Sequence, residues 1–362
     1  MMVDWWRARK EELLALTEKE CPLYIYNEEI LNDIFFDLWC VDNLDVLFYP
    51  THLNPHPEII GKACEMGLSF LCRSSGELNA LSSKFDKLNS DRIMFKCDND
   101  RESNFGRAMQ YGAHMVMSDP WVFRVYSDNY GTSDAHGVLI SIDSQNILEY
   151  GLWPETAVKG FYLHIKPEYY LTDANEKISL ISRASGRFPE ALTVMLGNDE
   201  GVGVCHAKCE MDIRNVERYL DFVNSACPQF ELWFEVPSSM LSSAGLLVAR
   251  ITETGEEGGR PFIRLNMDVN TSIGRRLDDA GHQVLNLSKL DEGSAVTTRI
   301  EGCNLSGGFE VERKLPSSIQ VGDILLVTNM GVYEPGDSLN DQGRDGVAEH
   351  YLPARRICQV RL

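Results

Sequence analysis

Between residues 45 and 236 the chain alternates short apolar runs with longer stretches in which apolar residues recur every three or four positions. Such runs read as strands buried on both faces, and the amphipathic stretches between them as helices. The candidate strands are 45–50, 68–72, 92–96, 114–118, 138–143, 160–166, 202–207 and 231–236. Helices are expected between them, among others over 58–66, 102–111 and 213–226. The pattern is sharpest in DVLFYPTHLNPHPEIIGKACEMGLSFLC, residues 45–72, which reads as strand, Pro-rich turn, helix, Gly67 and strand. That is a βαβ unit of a parallel sheet. Eight such units suit a (β/α)8 barrel, although periodicity alone does not separate it from a doubly wound sheet.

The flanks read differently. Residues 4–20 predict a helix, Pro22–Tyr26 a short strand rich in β-formers, and 27–39 a second helix. After residue 237 the texture turns to short β segments punctuated by Gly, Asn and Asp: LLVARITETGEEGG, FIRLNMD, AVTTRIEG and DILLVTN. The stretch TGEEGGR, with Gly255 to Gly259, reads as a hairpin-like loop.

Composition narrows the partners. A formal charge of −20 argues against nucleic acid and anionic membrane surfaces, which require a basic face. The ten cysteines are scattered, and several (Cys64, Cys72, Cys205) fall in apolar elements, where Cys behaves as a small hydrophobe. The opening MMVDWWRARKEELLAL is a mixed-charge amphipathic helix and not a secretory signal, and no apolar run reaches transmembrane length. A cytoplasmic protein is expected. In that setting the three Asn-x-Ser glycosylation patterns, at Asn270, Asn286 and Asn304, are chance matches.

Motifs with chemistry are sparse when read alone. Ser74-x-x-Glu77 has the spacing of a helix-capping box. His52, His164 and His206 fall on predicted strands, but no pair has zinc-motif spacing. Cys205 and His206, adjacent on a strand, point to opposite faces. No metal site is expected. A Cys-based hydrolase using Cys303 with His52 or His206 has no nucleophile-elbow signature behind it.

Wording is more telling than pattern. Tyr49-Pro50-Thr51-His52-Leu53-Asn54-Pro55 resembles the first barrel strand of the pyridoxal-phosphate (PLP) decarboxylases built on the alanine-racemase-like barrel. Diaminopimelate decarboxylase, including the aspartokinase-fused type, is the nearest match, with ornithine decarboxylase more distant. The resemblance spans nearly the whole chain: Cys-Pro-Leu-Tyr-Ile-Tyr-Asn at 21–27 is similar to the family opening, and 268–282 to its Gly-Met-Asn stretch. It implies a barrel over 37–236, and a β-sandwich or barrel-like domain formed from 1–36 with 237–362, into which the N-terminal strand is built. It also implies a homodimer.

Site residues follow from the same resemblance. The family strand reads Tyr-Ala-x-Lys-Ala-Asn-Pro, and its Lys forms the Schiff base with PLP; here that position is His52. Arg73 stands at a family Ala and Leu71 at an Asp. His206 falls at the family's His-x-Gly-Ser strand, and Glu235 at the glutamate of its Glu-Pro-Gly-Arg strand, whose Gly and Arg are here Pro237 and Ser238. Between His206 and Glu235 no Gly remains for the family's phosphate cradle, so either the cradle is deleted or the register differs. The Arg that grips the substrate carboxylate falls on Gly274. Cys303 keeps the family Cys without its acidic neighbour, and Tyr333 keeps the Tyr that contacts the phosphate.

Imidazole forms no stable imine, so covalent PLP is not expected. The expected protein is a degenerate decarboxylase that works through dimerisation, a protein partner or a small amino-acid-like ligand. The alternative is an enzyme that uses the old cavity with non-covalent PLP or another small ligand.

Overall fold

The computed structural model describes residues 4–85, 88–97, 102–130, 138–143, 153, 158–165, 170–197, 213–269, 271–278, 281–293, 295–303, 311–333, 339–340, 343–344 and 347–355. In chain order the elements begin with α1 (Trp5–Ala8), α2 (Lys10–Lys19), β1 (Leu23–Asn27), α3 (Glu28–Trp39), β2 (Val46–Pro50), α4 (Pro57–Glu65), β3 (Ser69–Cys72) and α5 (Ser75–Lys84). They continue with β4 (Ile93–Cys97), α6 (Glu102–Gln110), β5 (His114–Met117), α7 (Pro120–Tyr130), β6 (Val138–Ser141), β7 (Val158–His164), α8 (Tyr170–Ser185), β8 (Thr193–Gly197), α9 (Ile213–Ala226), β9 (Glu231–Glu235) and α10 (Ser238–Ser242). The last are β10 (Gly245–Glu257), β11 (Arg260–Leu265), α11 (Thr271–Asp278), β12 (Val284–Asn286), β13 (Val296–Glu301), β14 (Val311–Leu315), β15 (Ile324–Thr328), β16 (Leu339–Asn340), β17 (Gly343–Arg344) and β18 (Ala348–Leu352).

Strands β2 to β9 close into a parallel barrel in sequence order. The first βα unit shows how the sequence enforces it. His56 caps α4 by accepting a hydrogen bond from the Glu58 N–H, and Pro57 fits the first turn, where no donor is needed. Gly67, at φ +85°, ends the helix and returns the chain to β3. Inside the barrel Phe48, Leu71, Met94, Val116, Leu139, Tyr162 and Met195 pack on one another, one from each of seven strands. Each such burial is worth about 1.5–3 kcal/mol. Outside, a buried ion pair between Asp173 and Lys177 (3.3 Å) joins α8 to α9, because the Tyr219 hydroxyl donates to Asp173 at 2.9 Å.

One strand differs from the sequence reading. The seventh barrel strand is Thr193–Gly197, wholly buried and paired on either side with β7 and β9, whereas 202–207 lies outside the described residues. The run TVMLG is short and follows a Pro-containing turn, so the longer GVGVCH run drew the assignment.

Two compact units emerge, one from residues 32–201 with 211–238, the other from the first 31 residues with 239–362. In the second unit β1 lies between β10 (antiparallel) and β18 (parallel), as the resemblance implies for the N-terminal strand. Trp5, Trp6, Leu23, Ile25, Val248 and Leu326 form its core. The hairpin of β10 and β11 turns only at Gly258 and Gly259, both at positive φ; Thr254 to Glu257 belong to the strand and not to a loop. No helix among the described residues is long and apolar enough to cross a membrane.

Gly160 on β7 lies close against β8. A Cβ there would lie 2.6 Å from the Thr193 carbonyl and 2.8 Å from its Cβ. Gly160→Ala should therefore cost about 1–3 kcal/mol through overpacking. Urea unfolding measures this, and an unchanged midpoint would mean that β7 and β8 stand farther apart.

Candidate functional site

Parallel closure puts the C-terminal ends of all eight strands at one mouth, where barrels of this kind carry their chemistry. Side chains alternate along each strand, so residues two beyond an inward-facing one also face inward. Pro50 pairs with Leu71 and Leu71 with Met94. Two residues on in sequence stand His52 and Arg73, just beyond the ends of β2 and β3, and Lys96 on β4, near enough for both positive charges to act on His52.

The segment carrying His52 is bolted down. Thr51 donates its N–H (2.9 Å) and hydroxyl (3.0 Å) to the Leu71 carbonyl, and the hydroxyl also reaches Glu77 at 2.5 Å. Tyr49 donates to the Asn54 carbonyl (2.8 Å), and the Asn54 side chain accepts the His56 N–H (2.9 Å). His52 is thus held at the mouth, with its Nδ1 shut off from solvent and without a hydrogen-bond partner among the described residues. Burial, reinforced by the positive charges of Arg73 and Lys96, pulls its pKa from 6.5 down to about 3. His52 is therefore neutral at physiological pH.

Ser74 and Glu77 form the capping box. Ser74 Oγ accepts the Glu77 N–H (3.2 Å) and donates to Glu77 Oε1 (2.8 Å). Glu77 Oε2 accepts the Arg73 N–H (3.1 Å) as well as the Thr51 hydroxyl, so one carboxylate ties the first two strand ends together. Cys72, fully buried, is no nucleophile: burial first and the Glu77 charge second push its thiol far above the ordinary range.

Lys96 and Tyr162 were not singled out by the sequence. Lys96 is 3 % exposed, and its Nζ lies 4.4 Å from the centre of the Tyr162 ring. The signal was present in Ile93-Met94-Phe95-Lys96, where a Lys shares the inward parity of Met94. On the strand next to β2, Glu235 ends β9 at 2 % exposure. A side chain at Gly197, on the neighbouring strand, would run into the Tyr162 hydroxyl and come within 2.6 Å of Glu235 Oε1. Gly197 is therefore the space that Tyr162 and Glu235 share.

His206 lies outside the described residues. The resemblance implies a glycine-rich phosphate cradle between a histidine strand and the glutamate strand. Among the described strands, β7 ends in His164, whose partner in β8 is Gly197, and β9 ends in Glu235. Gly197 ends β8, and Gly201 and Gly203 come after it in sequence, within 198–212, outside the described residues.

Cys303 and Tyr333 belong to the other unit. Cys303 is exposed and its thiol donates to Asp268 Oδ1 at 3.0 Å. The Tyr333 hydroxyl donates to Glu349 Oε1 (2.6 Å), which also accepts from Tyr26 (2.5 Å). Among the described residues no group of three or more His, Cys, Asp or Glu side chains gathers to hold a metal ion.

The state of His52 is open to measurement. The unfolded chain takes a proton at His52 near 6.5 and the folded chain only near 3, so in that window the unfolded state binds more protons. Stability from the neutral ring is whole above about pH 6.5 and falls as pH drops toward 3. Between about pH 7 and pH 4.5, wild type should lose more unfolding free energy than His52→Gln. Equal losses in urea titrations would show that the ring is not held neutral.

Comparison with known proteins places this geometry. The sequence pattern described as "Pyridoxal-dependent decarboxylase, C-terminal sheet domain" matches residues 23–331. Among curated proteins, none matches the chain in sequence. The fold is similar to arginine decarboxylase of Paramecium bursaria Chlorella virus, solved with agmatine (TM-score 0.76, 14% identity, 95% of this chain and 100% of that one). It is also similar to lysine/ornithine decarboxylase of Vibrio vulnificus, solved with cadaverine (TM-score 0.77, 17% identity, 95% and 96% covered). Lysine decarboxylase of Selenomonas ruminantium matches with a TM-score of 0.75 at 16% identity, covering 97% and 98%. By the extent of that sequence match, the chain belongs to the family of pyridoxal-dependent decarboxylases with a C-terminal sheet domain.

Proposed function

We propose that this chain is a degenerate decarboxylase: it keeps the family fold, holds no covalent PLP, and acts as a homodimer through a protein partner or a small amino-acid-like ligand. One observation carries the reading. The position that must supply a primary amine holds His52, a half-buried, neutral imidazole whose Nδ1 is shut off from solvent. The rest of the cofactor's expected surroundings fits poorly as well. Tyr333, the candidate phosphate contact, spends its hydroxyl on Glu349, and a carboxylate there opposes a phosphate. Ser238 and Gly274 offer no guanidinium. The amine that does stand near His52, Lys96, is on the third barrel strand and lies over Tyr162, a placement unlike that of the family Lys.

A second reading keeps a foothold in Glu235 and Gly197. A buried carboxylate beside a glycine strand is where a non-covalent ring with a basic nitrogen would sit, which supports an enzyme using the old cavity differently.

Absorbance spectra with excess PLP, together with CO₂ release from lysine, ornithine, arginine and diaminopimelate, separate the readings. Wild type should show no internal-aldimine band and no turnover. His52→Lys alone should not restore them, because each lost charged phosphate or substrate contact costs ~1.5–3 kcal/mol. A wild-type band that disappears in Lys96→Met would move the imine chemistry to the third strand and sink the degenerate reading. Assembly is tested separately: sedimentation at micromolar concentration should give a dimer, and only monomer there would count against it.

A further inference from the structure

We propose that the outer face of α3 docks a basic amphipathic helix of another protein, with Phe36 and Trp39 as its anchors. This rests on the reading that the chain acts through a protein partner, and names that partner's chemistry. The inner face of α3 is already used: Leu31, Ile34, Phe35 and Leu38 are buried, and Phe35 meets Tyr49 of β2 edge to face at 6.0 Å. Phe36 and Trp39 are surplus to that packing. They are 60 % and 50 % exposed, and three residues apart on one helix they are neighbours on its surface. Among the described residues no other helix leaves two large apolar side chains so exposed. Exposed aromatic rings of this kind mark interaction surfaces, and a helix locked on its inner side presents them already ordered.

Charge decides what covers the two rings. Glu29, Asp33 and Asp37 follow one another at four-residue steps along α3, all three exposed on the side that carries Phe36. Asp42 and Asp45 come just after the helix, and from residue 20 to residue 61 the sequence has no Lys or Arg at all. The turn that follows α3 is fixed: Asn43 donates to Asp221 (2.9 Å) and accepts from Asn224 (3.0 Å), both on α9. A second copy is a poor occupant, because two such faces set acid against acid. Nucleic acid and anionic lipid are repelled for the same reason. A helix with Lys or Arg along one side and aliphatic side chains along the other satisfies the rings and the carboxylates together. The homodimer is left to other surfaces of the chain.

The test uses the full chain at physiological ionic strength, where distant surface charges are screened. The probe is a synthetic amphipathic helix of lysine and leucine, about 18 residues long. Two companion peptides carry glutamate in place of lysine, or serine in place of leucine. The lysine–leucine peptide should bind at ~100 µM or tighter, and both companions about tenfold more weakly or worse. Phe36→Ser with Trp39→Ser, and separately Asp33→Asn with Asp37→Asn, should each weaken the lysine–leucine peptide about tenfold or more. Trp121→Ser, which removes a comparably exposed aromatic ring on α7, should leave the affinity unchanged. All five positions are exposed, so the variants should keep the wild-type urea midpoint. No binding up to ~1 mM, or binding indifferent to both α3 variants, would overturn the proposal. So would a homodimer that falls to monomer in Phe36→Ser with Trp39→Ser, because a second copy would then occupy this face. Absence of peptide binding without an aldimine removes this surface and leaves the degenerate reading standing. Peptide binding together with an aldimine and turnover keeps the surface and sinks that reading.

Discussion

Closure of the parallel barrel is the constraint on which the rest depends. Once eight strands pair in sequence order, pleating decides which side chains enter the interior and register decides which of them meet. An open sheet would leave the ends of β2 and β9 apart, whereas here Phe48 pairs with Glu235 and the polar residues of both strands share one mouth. Seven apolar side chains fill the layer below. Everything polar is thereby pushed to the C-terminal rim.

That rim is electrostatically unlike the chain around it. A molecule of formal charge −20 gathers two cations and a neutral imidazole at this rim. The imidazole follows from its neighbours: low-dielectric surroundings and two positive charges both disfavour a third. The local positive charge comes from residues near the ends of the next two strands, Arg73 and Lys96, which lie close to His52 in the fold and far from it in sequence.

Much of the fold was legible because each βα unit carries its own signals, such as the cap at His56, the stop at Gly67 and the apolar run of Val46 to Pro50. The N-terminal strand was legible from its β-formers and the family wording. The seventh strand was not, because a short buried run after a turn competes poorly with a longer apolar one. In the site, His52 and Glu235 could be read by position. The nearness of Arg73 and Lys96 to His52 could not, because strand register is a three-dimensional quantity set by pairing. The same holds for Tyr333, whose identity is visible in sequence but whose acceptor, Glu349, is fixed only when β1 and β18 come together.

That last pairing has a consequence for biosynthesis. Leu23 hydrogen-bonds across to strands at Val248 and Ala348, so β1 leaves the ribosome long before either neighbour exists. All five of its residues are buried in the finished protein, and until then Leu-Tyr-Ile-Tyr is an apolar strand with two open edges. The second unit must close across most of the chain, a high-contact-order step that is intrinsically slow. During translation the nascent chain therefore carries an unpaired sticky segment while the barrel is being made behind it, and that segment is where a chaperone would have most to do.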